Sequence, residues 1–130
     1  MTNSAPRKKW ILVVEDDKDV QSMFTEALEN RGYKVLSCTN AMESTRLLTN
    51  QKFDCIILDL RLERGSGDQI ISYVRRDPRG FNQGTPILIV SGELNPEVIK
   101  RIKDSVSGFF VKPFNIETIV EKIKTLSAQK

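Results

Sequence analysis

Phe53-Asp54-Cys55-Ile56-Ile57-Leu58-Asp59 is the stretch on which the fold of this chain turns. A short, Ile-rich run flanked by polar residues reads as a strand buried on both faces, the setting of a central strand in a parallel sheet. An ionised carboxylate is costly to bury, so Asp59 belongs where the strand leaves the core. In an open α/β sheet that exit is the carboxyl edge of the strands, where ligands bind. Taken alone, Asp59 reads equally well as a turn residue that ends a strand. The flanking elements decide between the two.

Toward the N-terminus, Trp10 to Val14 is a second apolar run, and it too ends in acids, Glu15-Asp16-Asp17. Val20, Met23, Phe24, Ala27 and Leu28 recur at helical spacing, with Gly32 where a helix end favours a left-handed residue. Lys34 to Cys38 predicts a strand, and Asn40 with Glu43 predicts a capped helix through Leu47 and Leu48. Toward the C-terminus, Leu60 to Gly67 is a loop, and Ser66 with Gln69 caps a helix carrying Ile70, Ile71 and Val74. That helix should end before Pro78, and Arg79 to Thr85 is a long connection. Pro86 to Val90 is a fourth strand, ending in Ser91-Gly92-Glu93. Asn95 and Pro96 open a helix with Val98, Ile99 and Ile102 facing inward. Gly108 to Val111 is a fifth strand, ending in Lys112-Pro113, and Asn115 opens a last helix bearing Ile116, Ile119, Val120, Ile123 and Leu126. Strands that alternate with helices in this way predict an α/β domain, a parallel sheet covered on both faces.

The 130 residues suffice for one domain with a real core. With 39% hydrophobic and 28% charged residues, disordered and fibrous classes drop out. No apolar run approaches the length of a membrane span. Residues 1–9 carry basic residues with no apolar segment behind them, so they read as a mobile tail and not a secretory signal, and a cytoplasmic location is expected. Cys38 and Cys55 have no metal-ligand spacing and read as small buried hydrophobes. Histidine is absent, which removes Ser-His-Asp, Cys-His and histidine-metal chemistry together. The net charge of +3 comes from scattered cations without interleaved aromatics, so nucleic acid is not an expected partner.

In a parallel sheet all strand C-termini share one edge, so Glu15, Asp16, Asp59, Ser91 and Lys112 are expected to meet. Two unit charges about 4 Å apart repel by roughly 4 kcal/mol at an effective dielectric of about 20, so the three acids are unstable together as bare anions. A divalent cation resolves this, and oxygen ligands without His or Cys suit Mg²⁺. A carboxylate beside such an ion, with a lysine and a hydroxyl nearby, is an acceptor for a phosphoryl group.

From about Trp10 to Leu126 the chain resembles the receiver domains of bacterial two-component response regulators. The resemblance implies a doubly wound, flavodoxin-like (βα)5 domain over residues 10–128 with sheet order 2-1-3-4-5. It implies an acidic pair at Glu15 and Asp16, a phosphoacceptor at Asp59 with Gly67 closing its loop, a switch hydroxyl at Ser91, and Lys112 before a cis Pro113. It implies Mg²⁺ held by Glu15, Asp16, Asp59 and the backbone carbonyl of Arg61. It also implies Phe109 as the switch aromatic, here without a hydroxyl, and Arg61 and Glu93 as residues that modulate the phosphoryl lifetime by pairing across the site. Glu63 stands where the family usually has proline, and Gly92 where it often has alanine. The partners implied are a histidine kinase or histidine phosphotransfer protein as donor, and a separate target protein. That target would read the fourth helix, fifth strand and fifth helix, with Lys100, Arg101, Lys103, Lys122 and Lys124 as a basic rim. A stand-alone switch, monomeric or dimerising on phosphorylation and not an enzyme toward other substrates, is the expectation. Alternatives are a phosphorelay carrier, a degenerate receiver that only binds partners, an unrelated α/β domain, and an aspartyl phosphatase. The phosphatase would want an acid two residues after the nucleophile, where Arg61 stands.

Overall fold

A computed structural model describes residues 8–62, 65–77 and 79–128. The tail expected over residues 1–9 falls mostly outside these residues, as do Glu63 and Pro78. The elements run β1 (Trp10–Val14), α1 (Lys18–Glu29), β2 (Lys34–Cys38), α2 (Ala41–Asn50), β3 (Cys55–Leu58), α3 (Gly67–Arg75), β4 (Ile87–Ser91), α4 (Pro96–Ile102), β5 (Gly108–Val111) and α5 (Ile116–Ala128). A single 3-10 turn, Lys103–Ser105, leads from α4 toward β5. All strand pairs are parallel and the order is β2-β1-β3-β4-β5, as expected.

Burial on two faces explains the composition of the central strands. β3 and β4 are buried along their whole length, and β1 from Ile11 onward, whereas the edge strands β2 and β5 are only partly covered. Alternate residues go to opposite faces. Leu12, Val14, Ile56, Leu58, Ile87 and Ile89 pack with Leu48 of α2, Ile70, Ile71 and Val74 of α3, and Ile102 of α4. Ile11, Val13, Cys55, Ile57, Leu88 and Val90 pack with Phe24 and Leu28 of α1 and with Ile119, Val120 and Ile123 of α5. Cys38 and Cys55 are buried and form no disulfide among the described residues, and burial pushes the Cys38 thiol up to about 12, which makes it inert at neutral pH.

One helical expectation needs correcting. Met23, placed on the inner stripe of α1 by its spacing, is 40% exposed. Gln21 is buried instead, because two backbone carbonyls at the carboxyl edge take its side-chain amide.

The long connection between α3 and β4 is held by a polar knot. Asn82 is fully buried; its Oδ1 accepts from Phe53 N–H at 2.8 Å and its Nδ2 donates to the carbonyls of Leu48 and Gln51 at 2.9 and 3.0 Å. Asp77, also buried, accepts from the N–H groups of Arg79 and Asn82. Arg75 donates to the carbonyls of Gln83, Thr85 and Ser105, tying the end of α3 to this loop and to the turn before β5. Unpartnered buried backbone groups cost about 1–3 kcal/mol each, and the losses overlap. We therefore expect Asn82→Ala to lower stability by about 3 kcal/mol in urea denaturation with an unchanged slope. A loss below about 1 kcal/mol would show that the knot does not hold the loop.

Candidate functional site

The ends of β1, β3, β4 and β5 supply the site. β1 and β3 run side by side, with Val14 opposite Leu58, so Glu15 and Asp59 leave the sheet next to each other. Asp59 N–H donates to the Val14 carbonyl at 3.0 Å, and Glu15 N–H to the Cys38 carbonyl at 3.0 Å, which fixes both backbones where the strands end. Carboxylate oxygens of Glu15, Asp16 and Asp59 lie within 4.8 Å of one another. Glu15 and Asp59 are buried, and Asp16 is half-buried.

Asp17, the third acid of the run, stands apart from the cluster. Its Oδ1 accepts from the N–H groups of Asp19 and Val20, so it caps α1. Its own N–H donates to Glu15 Oε2 at 3.1 Å. The helix cap and the acidic pair thus share one turn.

Lys112 gives two of the acids a counter-charge from within the protein. Its Nζ donates to Glu15 Oε1 at 2.7 Å and to Asp59 Oδ2 at 2.8 Å. The side chain is only 25% exposed, so it belongs to the site more than to the solvent edge. Burial alone would lower its pKa, but the hydrogen bonds and charges of Asp59 and Glu15 outweigh burial and hold it above the ordinary lysine value. Burial raises Glu15, against the hydrogen bonds from Lys112 and the Asp17 N–H that pull it down; the charge of Asp59 adds to the rise. The Lys112-Pro113 peptide bond is cis, and Lys112 N–H donates to the Ser91 carbonyl at 2.9 Å.

The remaining expected residues border this centre. Asp59 Oδ1 accepts from Arg61 N–H at 3.0 Å, so the Arg61 main chain lies against the carboxylate. The Arg61 guanidinium meets Glu93 at 3.0 Å, with both side chains more than 70% exposed. Ser91 is fully buried, and its Oγ accepts from Glu93 N–H at 3.3 Å. Phe109 is half-buried and packs on the α2, α3 and α4 side of the sheet. A Cβ on Gly67 would stand 2.8 Å from Leu60 Cα and 3.1 Å from the Asp59 carbonyl, so the loop passes Asp59 only with glycine there.

The residues that spacing overlooked are Gln21 and the capping role of Asp17. An acid immediately before an amphipathic stretch is a readable cap signal. A glutamine bordering an apolar stripe gives no such signal.

A family model described as the response regulator receiver domain matches residues 11–124. The chain belongs to that family. The receiver is 27% identical to the chemotaxis protein CheY4 of Vibrio cholerae, whose structure superposes with a TM-score of 0.84 over 92% of this chain and 99% of that one. A response regulator of Burkholderia pseudomallei, solved with a phosphorylated aspartic acid, calcium ion and citrate, is also 27% identical, with a TM-score of 0.80 over 94% of this chain and 70% of that one. The nisin biosynthesis regulatory protein NisR of Lactococcus lactis is 29% identical over 115 residues, 88% of the receiver and 48% of NisR. The receiver spans about half the length of the curated relatives it matches first.

Removing the Lys112 ammonium leaves two buried carboxylates facing each other. Hydrogen bonds to charged groups contribute about 1.5–3 kcal/mol. We expect Lys112→Met to lose stability of that order in chelator-treated protein, read by urea denaturation. Unchanged stability would show that the ammonium contributes nothing to the resting fold.

Proposed function

We propose that this receiver is a phosphoacceptor switch, in which Asp59 takes a phosphoryl group from a phosphohistidine of a sensor kinase or phosphotransfer protein. The observation that carries the reading is the contact of Lys112 Nζ with both Glu15 and Asp59, in a cluster that also holds Asp16. The oxygen-only donor set, in a chain without histidine, fits Mg²⁺. Glu15, Asp16 and Asp59 would hold the ion by their carboxylates, and Arg61 by its backbone carbonyl. When bound, Mg²⁺ supplies positive charge that offsets the acids and the phosphoryl oxygens.

In the transfer, an Asp59 carboxylate oxygen attacks phosphorus while the P–N bond of the donor breaks and its electron pair leaves on the imidazole nitrogen. Lys112, already bonded to Asp59 Oδ2, is in position to follow the new charge. Ser91 would turn its O–H from the Glu93 carbonyl, to which it donates at 3.3 Å, to a phosphoryl oxygen, and Phe109 would settle into the space that this vacates. The domain catalyses only its own phosphoryl gain and loss, as a signalling protein in the cytoplasm.

The target is a separate protein that binds across α4, β5 and α5, with the receiver monomeric or dimerising on phosphorylation. The basic rim there is smaller than expected, because Arg101 pairs with Asp68 of α3 at 2.9 Å and Lys124 lies 3.7 Å from Glu121. Lys100, Lys103 and Lys122 carry no ion pair among the described residues.

Incubation with Mg²⁺ and a small phosphodonor should add one base-labile phosphoryl group, read by intact mass, and Asp59→Asn should add none. Labelling of that variant at the parent's rate would refute the assignment. The exposed Arg61–Glu93 pair contributes no more than about 1 kcal/mol. Replacing both residues with alanine should therefore change the dephosphorylation rate by only a few fold, and an identical rate would remove the pair from any account of lifetime.

A further inference from the structure

Gln21 sits on α1 with 9% of its surface exposed, where a carboxamide is tolerated only if its hydrogen bonds are met. Its Nε2 donates to the Glu15 carbonyl at 2.6 Å and to the Cys38 carbonyl at 3.1 Å. These are the carbonyls at the exits of β1 and β2, and the Cys38 carbonyl also accepts from Glu15 N–H. Every polar group of Glu15 is therefore occupied. Its N–H is held by β2, its carbonyl by Gln21, one carboxylate oxygen by Asp17 N–H and the other by Lys112.

We infer that Gln21 is the positioning residue of the acidic pair, orienting Asp16 against Glu15 through the peptide that joins them. The Glu15 carbonyl and the Asp16 nitrogen share one rigid plane, so a donor that pins the carbonyl also sets the direction in which Asp16 leaves the chain. Without it the buried carbonyl must turn to find another donor, and Asp16 turns with it. The anchor comes from the side, out of α1, and reaches none of the carboxylates. Its effect is on geometry and not on charge, and groups that orient metal ligands typically change metal affinity by about 10–100-fold when lost. This inference rests on the reading of the cluster as a Mg²⁺ site.

The test is a Mg²⁺ titration followed by backbone and side-chain amide shifts on parent, Gln21→Met and Gln21→Ala. Methionine keeps the length and volume of glutamine without its donor. A positioning role predicts that both variants bind Mg²⁺ about tenfold more weakly, and that initial phosphorylation rates fall more at low Mg²⁺ than at saturation. A packing role predicts that Gln21→Met matches the parent and only Gln21→Ala weakens; that result overturns the inference. The parent provides a check independent of how the variants fold, because the Gln21 side-chain amide resonances should shift along the same Mg²⁺ isotherm as Asp16 and Asp59. Resonances of Gln21 that stay still while those of Asp16 and Asp59 move would overturn it as well. A parent that binds no Mg²⁺ at all would instead refute the functional reading, and this inference with it.

Discussion

Burial of the three central strands on both faces leaves them no position for an unpaired polar side chain except at their ends. Leu12 to Val14, Ile56 to Leu58 and Ile87 to Val90 are all but inaccessible to solvent. Because the strands run parallel, their carboxyl ends fall on one edge, and polar side chains that follow them gather there. The site is in this sense a by-product of the core: the same apolar runs that make the sheet deliver Glu15, Asp59 and Ser91 to a common boundary.

What keeps that boundary from repelling itself is a lysine from a fourth strand end. Lys112 reaches both carboxylates and stays protonated because their charge outweighs the cost of its own burial. The arrangement gives the resting site an internal cation that can change partners. In the proposed transfer, a phosphoryl group on Asp59 would bring about two negative charges and several acceptor oxygens within reach of an ammonium already in place. The resting hydrogen bonds and the proposed charge-stabilising role in transfer then draw on the same side chain.

Around this centre the contacts weaken with exposure. The pairs Arg61–Glu93 and Asp68–Arg101 both join the β3-to-α3 segment to the β4-to-α4 segment, one through loops and the other through helices. All four side chains are about half exposed or more, so such pairs are screened and easily exchanged. At the opposite edge of the sheet, the Asn82 network is buried, the Arg75 network is partly buried, and both are bonded to backbone. The fold is therefore held firmly where the strands begin and more loosely where the chemistry is proposed.

The sequence by itself determined the elements, their order and the candidate acids, because strand and helix periodicity, caps and glycine positions are local properties. Asn95 with Pro96, Ser66 with Gln69, and Gly32 at a φ of 92° all act as their neighbours indicate. The sheet order and the cis Lys112-Pro113 bond came from resemblance to the receiver family, since neither follows from periodicity. The resemblance also singled out Glu15 and Asp16, and the tertiary structure added what the third acid does. Asp16 joins the cluster and Asp17, its neighbour, turns away to cap α1. Only the tertiary structure decided that Met23 faces solvent while Gln21 is buried, because the carbonyls that attract the amide come from the ends of β1 and β2, far apart in sequence from each other. Likewise, Lys112 finds Glu15 across 97 positions of chain. Hydrogen bonds of this kind depend on where strands end in space, and that is set by packing the whole sheet.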